Sequence, residues 1–381
     1  MKILVAPNSF KESLSSVQIA KIFSEAFDKL KCEKIILPLS DGGDGFIEVI
    51  EFIESCICRS YSFQNEFAGL FSENRILIND SSKELFIESA NVIGLHKLPV
   101  NLRKPMHLNS FALGKLIKEI LESKNKFQVT EFSKIIIGVG GTATIDFGLG
   151  AAEALGVIFL DKNGKTVKPV PENFLLINDF ILPNLSDKFF KQMQINCVSD
   201  VETPLLGSNS AIDLYGPQKG ASSVELQKIK KGIEHIAEIM LRKNLVSDIA
   251  ELNGSGGGLA SGLKIFFNAE IIPSKKFIIE NLLNRIDVTA IDYLITGEGK
   301  FDIQSFEGKA TGELIKNFSK KVKKIFLVCG KIEKNVKSLL PENVFCFQLL
   351  EYYRNESEAI NRANEGLKVI AQKIIAEHLT Q

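Results

Sequence analysis

Residues 294–314 read LITGEGKFDIQSFEGKATGEL. They crowd Glu298, Lys300, Asp302 and Lys309 into the space after a short apolar run, with a glycine on each side of Glu298. Four more segments place charge at the end of an apolar run: APNSFKES (6–13) with Lys11, SDGGDG (40–45) with Asp41 and Asp44, GVGGTATIDFGLG (138–150) with Asp146, and SDVETPLLG (199–207) with Asp200. Acids and lysines mixed with glycines suit phosphoryl transfer. Carboxylates hold Mg2+, lysines and backbone N–H groups neutralise phosphate charge, and a carboxylate accepts the proton of the attacking hydroxyl. Taken singly, each feature has a plainer reading. Asp41 and Asp44 at a helix start are ordinary caps, Lys11 is a solvated lysine, and NGSGGGLASG (253–262) is a flexible linker. The coincidence of acids and bases at several strand ends favours the chemical reading.

The elements that must position these residues alternate between strand and helix. Residues 2–6 form an apolar run of the kind buried in a parallel sheet. Ser15 or Ser16 caps a helix whose apolar face repeats at Ile19, Ile22, Phe23, Ala26, Phe27 and Leu30. A second strand covers 35–39, and a helix with Phe46, Val49, Ile50 and Ile53 on one side follows. Toward the other end, strands are predicted at 292–296, 325–329 and 344–347, and the longest helix at 359–379. Such alternation indicates α/β architecture around a parallel sheet, with ligands bound at the carboxyl ends of the strands. The middle differs. Residues 61–90 alternate as hairpin strands that turn at Asn79-Asp80-Ser81. The pattern predicts one α/β domain built from both chain ends, residues 1–62 plus 288–381, and an inserted mixed α/β domain, residues 63–287.

Composition excludes several classes. Lys plus Arg and Asp plus Glu both number 46, so no net charge draws the chain to nucleic acid or an anionic membrane. No run is long enough for a signal peptide or a membrane span. The six cysteines show no CxxC spacing, which argues against zinc and redox motifs. A cytoplasmic protein with a small-molecule substrate is the resulting expectation.

Named fingerprints narrow the field further. The P-loop pattern GxxxxGK[ST] is absent, as are HExxH and GxSxG, and the four histidines lie outside the charged loops. GVGGTA (138–143) does fit GxGxxA after a strand at 134–138, with Asp161 about 20 residues on. A nicotinamide-dependent oxidoreductase is therefore an alternative, weakened by Gly148 and Gly150 where a crossover helix should run, since each costs about 1 kcal/mol relative to Ala.

Taken together, APNSFKESLS, LSDGGDG, GVGGTATIDFGLGAAEALGV, SDVETPLLGSNSA, YGPQKGA, GSGGGLASGL and ITGEGKFDIQSFEGKA resemble the bacterial-type glycerate kinase family, in order from residue 3 to about 330. The resemblance implies ATP-dependent phosphorylation of D-glycerate with Mg2+, on a Rossmann-like domain plus an inserted second domain. The family's first-loop lysine matches Lys11 and its second-loop aspartate Asp41. Asp44 stands where a glutamate is more usual. Asp146, Asp200, Glu298, Asp302 and Lys309 match further family acids and a lysine.

On this resemblance Lys11, Asp200 and Asp302 are expected to be catalytic, while which acid is the base and which binds metal stays open. The resemblance implies phosphate contacts from Gly140, Gly141, Thr142, Gly256, Gly257, Gly297 and Lys309, with Lys300 as a further neutralising charge, and metal contacts from Asp41, Asp44 and Glu298. The sequence departs from the family at Ile145, Phe147 and Thr203 and in LNSFALG (108–114). A kinase-like fold that binds ligand without turnover is the alternative these departures raise.

Overall fold

The computed structural model describes residues 1–11, 13–53, 58–122, 133–183, 194–199, 203–278, 283, 287 and 290–379. Contacts divide the chain into two units: Met1–Asp41, Glu48–Ser55 and Ser274–Gln381 form one, and Gly42–Ile47 with Cys56–Pro273 form the other. The α/β class expected from the alternation is the class observed.

In the first unit five strands lie parallel, in the order Val344–Gln348, Lys324–Cys329, Tyr293–Gly297, Lys2–Pro7 and Glu33–Ile36. Pro7 sits opposite Gly297, so these two strands end level with one another. The second strand is shorter than its apolar run. Even so, the Leu37 and Leu39 N–H groups still donate to Val5 and Pro7 carbonyls, at 2.8 and 2.9 Å. Pro38 between them has no N–H to lose. This extension carries the chain to Asp41 alongside the first strand.

Ser15 caps the helix Ser16–Ala26 in a capping box with Gln18, and Ile19 and Phe23 pack into a core with Ile3, Val5 and Phe326. The long helix expected at 359–379 is broken. Glu356–Asn361 and Ala363–Ile374 are separate helices, followed by a π turn over Ile375–Leu379. Arg362 leaves the helical region, with φ −112° and ψ 21°, and its carbonyl accepts the Tyr353 hydroxyl. Ala359, Ala363, Leu367 and Ile370 all enter one core, so the apolar spacing runs through the break without revealing it. Among the described residues the longest helix is Ser223–Arg242, in the other unit, with a capping box of Ser222 and Glu225.

The second unit holds a mixed six-stranded sheet, ordered Glu270–Pro273, Gln194–Ser199, Lys134–Gly138, Glu84–Glu88, Leu70–Asn79 and Cys58–Phe67. The predicted turn exists: Asn79 Oδ1 accepts the Ser81 and Ser82 N–H groups as the chain reverses into Glu84–Glu88. A second reversal, at Ala68-Gly69, pairs Cys58–Phe67 with Leu70–Asn79. Both turn residues have positive φ, 55° and 78°. An alanine in that region costs roughly 1–2 kcal/mol, so composition gives no signal for this turn.

The dinucleotide fingerprint does not build its fold. After Lys134–Gly138 the next helix begins at Leu149, and Ile158–Leu160 pairs antiparallel with Asp179–Ile181 in a separate small sheet. Asp161 Oδ1 accepts the Asn163 and Lys165 N–H groups of its own turn, which occupies the carboxylate that a ribose would need.

Candidate active site

The first unit gathers its charges at the carboxyl ends of the central strands. Asn8 follows the first strand, Asp41 the extension of the second, and Glu298 the strand Tyr293–Gly297. The Asn8 side-chain amide donates to Asp41 Oδ2. The other Asp41 oxygen, Oδ1, is buried and finds no hydrogen-bond partner among the described residues; the same holds for Glu298 Oε1. Lys309 Nζ lies 3.8 Å from Glu298 Oε2. Burial pushes the Glu298 carboxyl up to about 7, and Asp41 and Asp302 push the same way against the pull of Lys309.

The glycines around Glu298 have distinct reasons. A Cβ on Gly297 would stand 1.6 Å from the Val328 carbonyl oxygen, so only glycine fits that strand end. At Gly299 a Cβ would be 3.3 Å from the Lys11 nitrogen, a close but less severe approach. Lys11 itself is exposed in the turn closed by the Phe10–Leu14 bridge.

Asp302 is a helix cap. Its Oδ1 accepts the Ser305 N–H at 3.1 Å and starts the helix Ile303–Gly308. Its Oδ2 is 3.6 Å from Lys300. Burial alone would raise this carboxyl, but the Ser305 N–H, Lys309 and Lys300 outweigh it and hold it below the usual value. Lys300 pairs with Glu333 at 2.8 Å, and that hydrogen bond raises its pKa. Its charge is thus already matched.

The second unit uses its glycines differently. The Gly140 N–H donates to the Gly42 carbonyl at 2.9 Å, and a Cβ on Gly140 would reach 2.6 Å from Gly43 Cα. Two glycine loops therefore pack backbone to backbone. Gly256, Gly257 and Gly258 all have positive φ, and a Cβ on Gly257 would stand 2.1 Å from the Thr144 carbonyl oxygen. The segment 253–262 is thus a packed corner and not a flexible linker, with Gly257 O accepting the Phe147 N–H.

Asp44 contacts residues that sequence reasoning left out. Its Oδ1 is 3.2 Å from His96 Nδ1, in spite of the wide sequence separation that hid the pair. Nearby, the buried Glu88 accepts the Gly45 and Ile47 N–H groups on its two oxygens, and burial pushes it up to about 7. Lys219, in the YGPQKGA segment, is buried with its ammonium on Thr142 Oγ1 and the Thr144 carbonyl, at 3.2 and 2.9 Å. Burial brings its pKa down to about 8, opposed by Asp146. A lysine within a glycine turn was the available signal. Asn8, one residue past a strand end inside APNSFKES, was another.

Asp146 is fully buried, and its Oδ2 accepts the Ser110 N–H, the Ser110 hydroxyl and the Gly150 N–H. It ties together the starts of Phe111–Glu122 and Leu149–Ala154. Ile145 and Phe147 are 1% and 0% exposed, so the departures there alter core packing and not a solvent-facing wall. Asp200 lies outside the described residues. Among those described, no group of three His, Cys, Asp or Glu side chains is placed to hold a metal by itself. Likewise, no helix of the described residues is long and apolar enough to cross a membrane.

A parallel α/β sheet with carboxylates and lysines at its strand ends is the form of a small-molecule phosphotransferase. The sequence matches the profile of the glycerate kinase family over residues 3–379, and the chain belongs to that family. A glycerate kinase of Neisseria meningitidis serogroup B is 30% identical, over 98% of both chains. A glycerate 2-kinase of Escherichia coli is 31% identical, over 88% of this chain and 87% of its own. A Salmonella typhimurium crystal structure, described provisionally as glycerate kinase 2, superposes with a TM-score of 0.74 at 25% identity, covering 100% of each chain.

Proposed function

We propose that the chain transfers the terminal phosphoryl group of ATP to a hydroxyl of D-glycerate. The observation that carries this reading is the pair of buried, unpartnered carboxylate oxygens, Asp41 Oδ1 and Glu298 Oε1, beside Lys309 at the strand ends. Leaving a buried acceptor unmatched costs about 1–3 kcal/mol, more for a charged group, so such a pair calls for a cation. Mg2+ commonly takes one or two carboxylates and fills its remaining positions with water and phosphate oxygens, so two protein oxygens without a third ligand suit it. Asp41 and Glu298 would hold it, and when bound it neutralises charge on the transferring phosphoryl group. Asn8 orients Asp41 by holding Oδ2, which leaves Oδ1 for the cation.

Lys309 and the exposed Lys11 supply positive charge toward phosphate or the substrate carboxylate. Lys300, matched by Glu333, is left aside. Asp302, ionised and fixed by its cap bond, accepts the hydroxyl proton through Oδ2, while Asp200 retains the catalytic part that the family resemblance implies. In the second unit, taken by itself, the exposed Gly141 is the phosphate contact that the family resemblance implies, and the Asp44–His96 pair lies beside it.

A coupled ADP-release assay tests the reading. ADP should appear with D-glycerate and remain at background with propionate, which has no hydroxyl. Equal rates with gluconate would overturn the choice of glycerate, and ADP release indifferent to any acid would overturn the transfer itself.

A further inference from the structure

The loop 138–150 is buried from Thr142 onward; at its tip Gly140 is half-buried against Gly43 and Gly141 is exposed. Three ties hold the buried part. Asp146 pins it to Ser110 and Gly150. The Phe147 N–H donates to Gly257 O at 3.0 Å and holds a phenylalanine at φ 55°, a conformation that persists only where its surroundings impose it. The third tie is Lys219, whose ammonium binds the Thr142 hydroxyl and the Thr144 carbonyl, on the residues that adjoin the tip.

Lys219 is itself locked inward. Its N–H donates to Gly216 O, and the Gly220 that follows has φ 95° with a Cβ position 2.4 Å from Arg103 O. Burying an amine is an expensive way to fill a core, because an apolar side chain of similar volume often does at least as well. What the amine adds is direction: two fixed hydrogen bonds to a segment with no regular structure.

We propose that Lys219 is a positioning residue for phosphoryl transfer, acting through Thr142 and Thr144 to fix the Gly140–Gly141 tip. This rests on the reading that the tip meets the phosphates of ATP. The charged and titratable groups that act on it are its own ammonium and Asp146.

The test compares Lys219→Met, Thr142→Val and Thr142→Ser with wild type, alone and combined. Lys219→Met should raise the KM for ATP about tenfold or more, with the KM for glycerate within about twofold. Thr142→Val should give a smaller change of the same kind, and Thr142→Ser, which keeps the hydroxyl, a smaller one still. The double variant with Thr142→Val should be no worse than Lys219→Met, because both remove one coupled contact.

Amide hydrogen exchange should quicken over 139–146 in Lys219→Met, a readout independent of any substrate. A folded Lys219→Met with unchanged exchange there and unchanged KM for ATP would overturn the proposal, as would additive effects in the double variant. If Lys219→Met does not fold, the contrast between Thr142→Val and Thr142→Ser decides it: equal KM values would overturn it. Failure of glycerate turnover in wild type would count against the proposed reaction, and exchange would still decide whether Lys219 holds the loop.

Discussion

The strand ends around Glu298 and the loops around Gly140 look alike as sequence: glycines beside an acid, after an apolar strand. As structure they differ. Around Glu298 the strand end is as tightly packed as any glycine loop, with Gly297 against the Val328 carbonyl, and two buried carboxylate oxygens lack partners. Around Gly140 and Gly257 the backbone packs against backbone, and the single unpartnered carboxylate oxygen among the described residues there, Asp146 Oδ1, belongs to a side chain whose other oxygen accepts three hydrogen bonds. Two unmatched carboxylate oxygens beside a lysine mark the place suited to a ligand. Backbone packed against backbone marks a frame that gives a loop one shape. The first is a chemical site and the second a mould.

The largest expected effect breaks the charged side. Asp302→Asn keeps the cap, because Asn serves as well as Asp at that position. Turnover should nonetheless fall roughly 10²-fold or more with an unchanged melting temperature, since the proposed proton acceptor is lost. A loss below about threefold would make Asp302 a cap and nothing more.

Stability separates the two regions next. Gly257→Ala forces a Cβ to 2.1 Å from a carbonyl oxygen at φ 71°. It should cost roughly 2–4 kcal/mol by chemical denaturation. Gly299→Ala meets its nearest atom at 3.3 Å and should cost about 1 kcal/mol or less. Similar costs would show that the close approach at Gly257 is relieved by a small local shift.

Much of this was legible beforehand. The parallel strands and the first helix followed from apolar spacing, because a core face repeats with the period of its element; the spacing allows Ser15 or Ser16 as the cap, and it is Ser15. Asp41, Glu298, Asp302 and Lys309 stood out as charge following an apolar strand, and in the first unit they lie close enough to act on one another; what they do there is the proposal. What stayed hidden depends on distance in space. Asp44 meets His96, and Glu88 meets Gly45 and Ile47, only once the sheet is assembled. The break at Arg362 escaped because both helices bury the same apolar series. Glycine type alone could not say whether Gly140 packs against Gly43 or opens toward a ligand; the answer needs the neighbour's coordinates.

A smaller effect is a slope with pH. Glu88 titrates at about 7 when folded, against 4.5 for the ordinary group. The folded state therefore holds an extra proton between those values. Its contribution is fully present below the lower one and lost as pH rises through the higher. Between pH 5 and 8 this amounts to about 2 kcal/mol. Glu88→Gln should flatten part of that slope, with Glu298 supplying a similar remainder. An unchanged slope in denaturant melts at the two pH values would show that burial does not raise this carboxyl.

The central claim is that Asp41 and Glu298 hold a divalent cation together with the nucleotide. The direct measurement is Mn2+ binding followed by electron paramagnetic resonance, with ATP present, for wild type, Asp41→Asn and Glu298→Gln. The account predicts that wild type takes up Mn2+ beyond what ATP alone binds, and that each variant weakens this uptake about tenfold or more while remaining folded. Uptake by both variants within about twofold of wild type would contradict it.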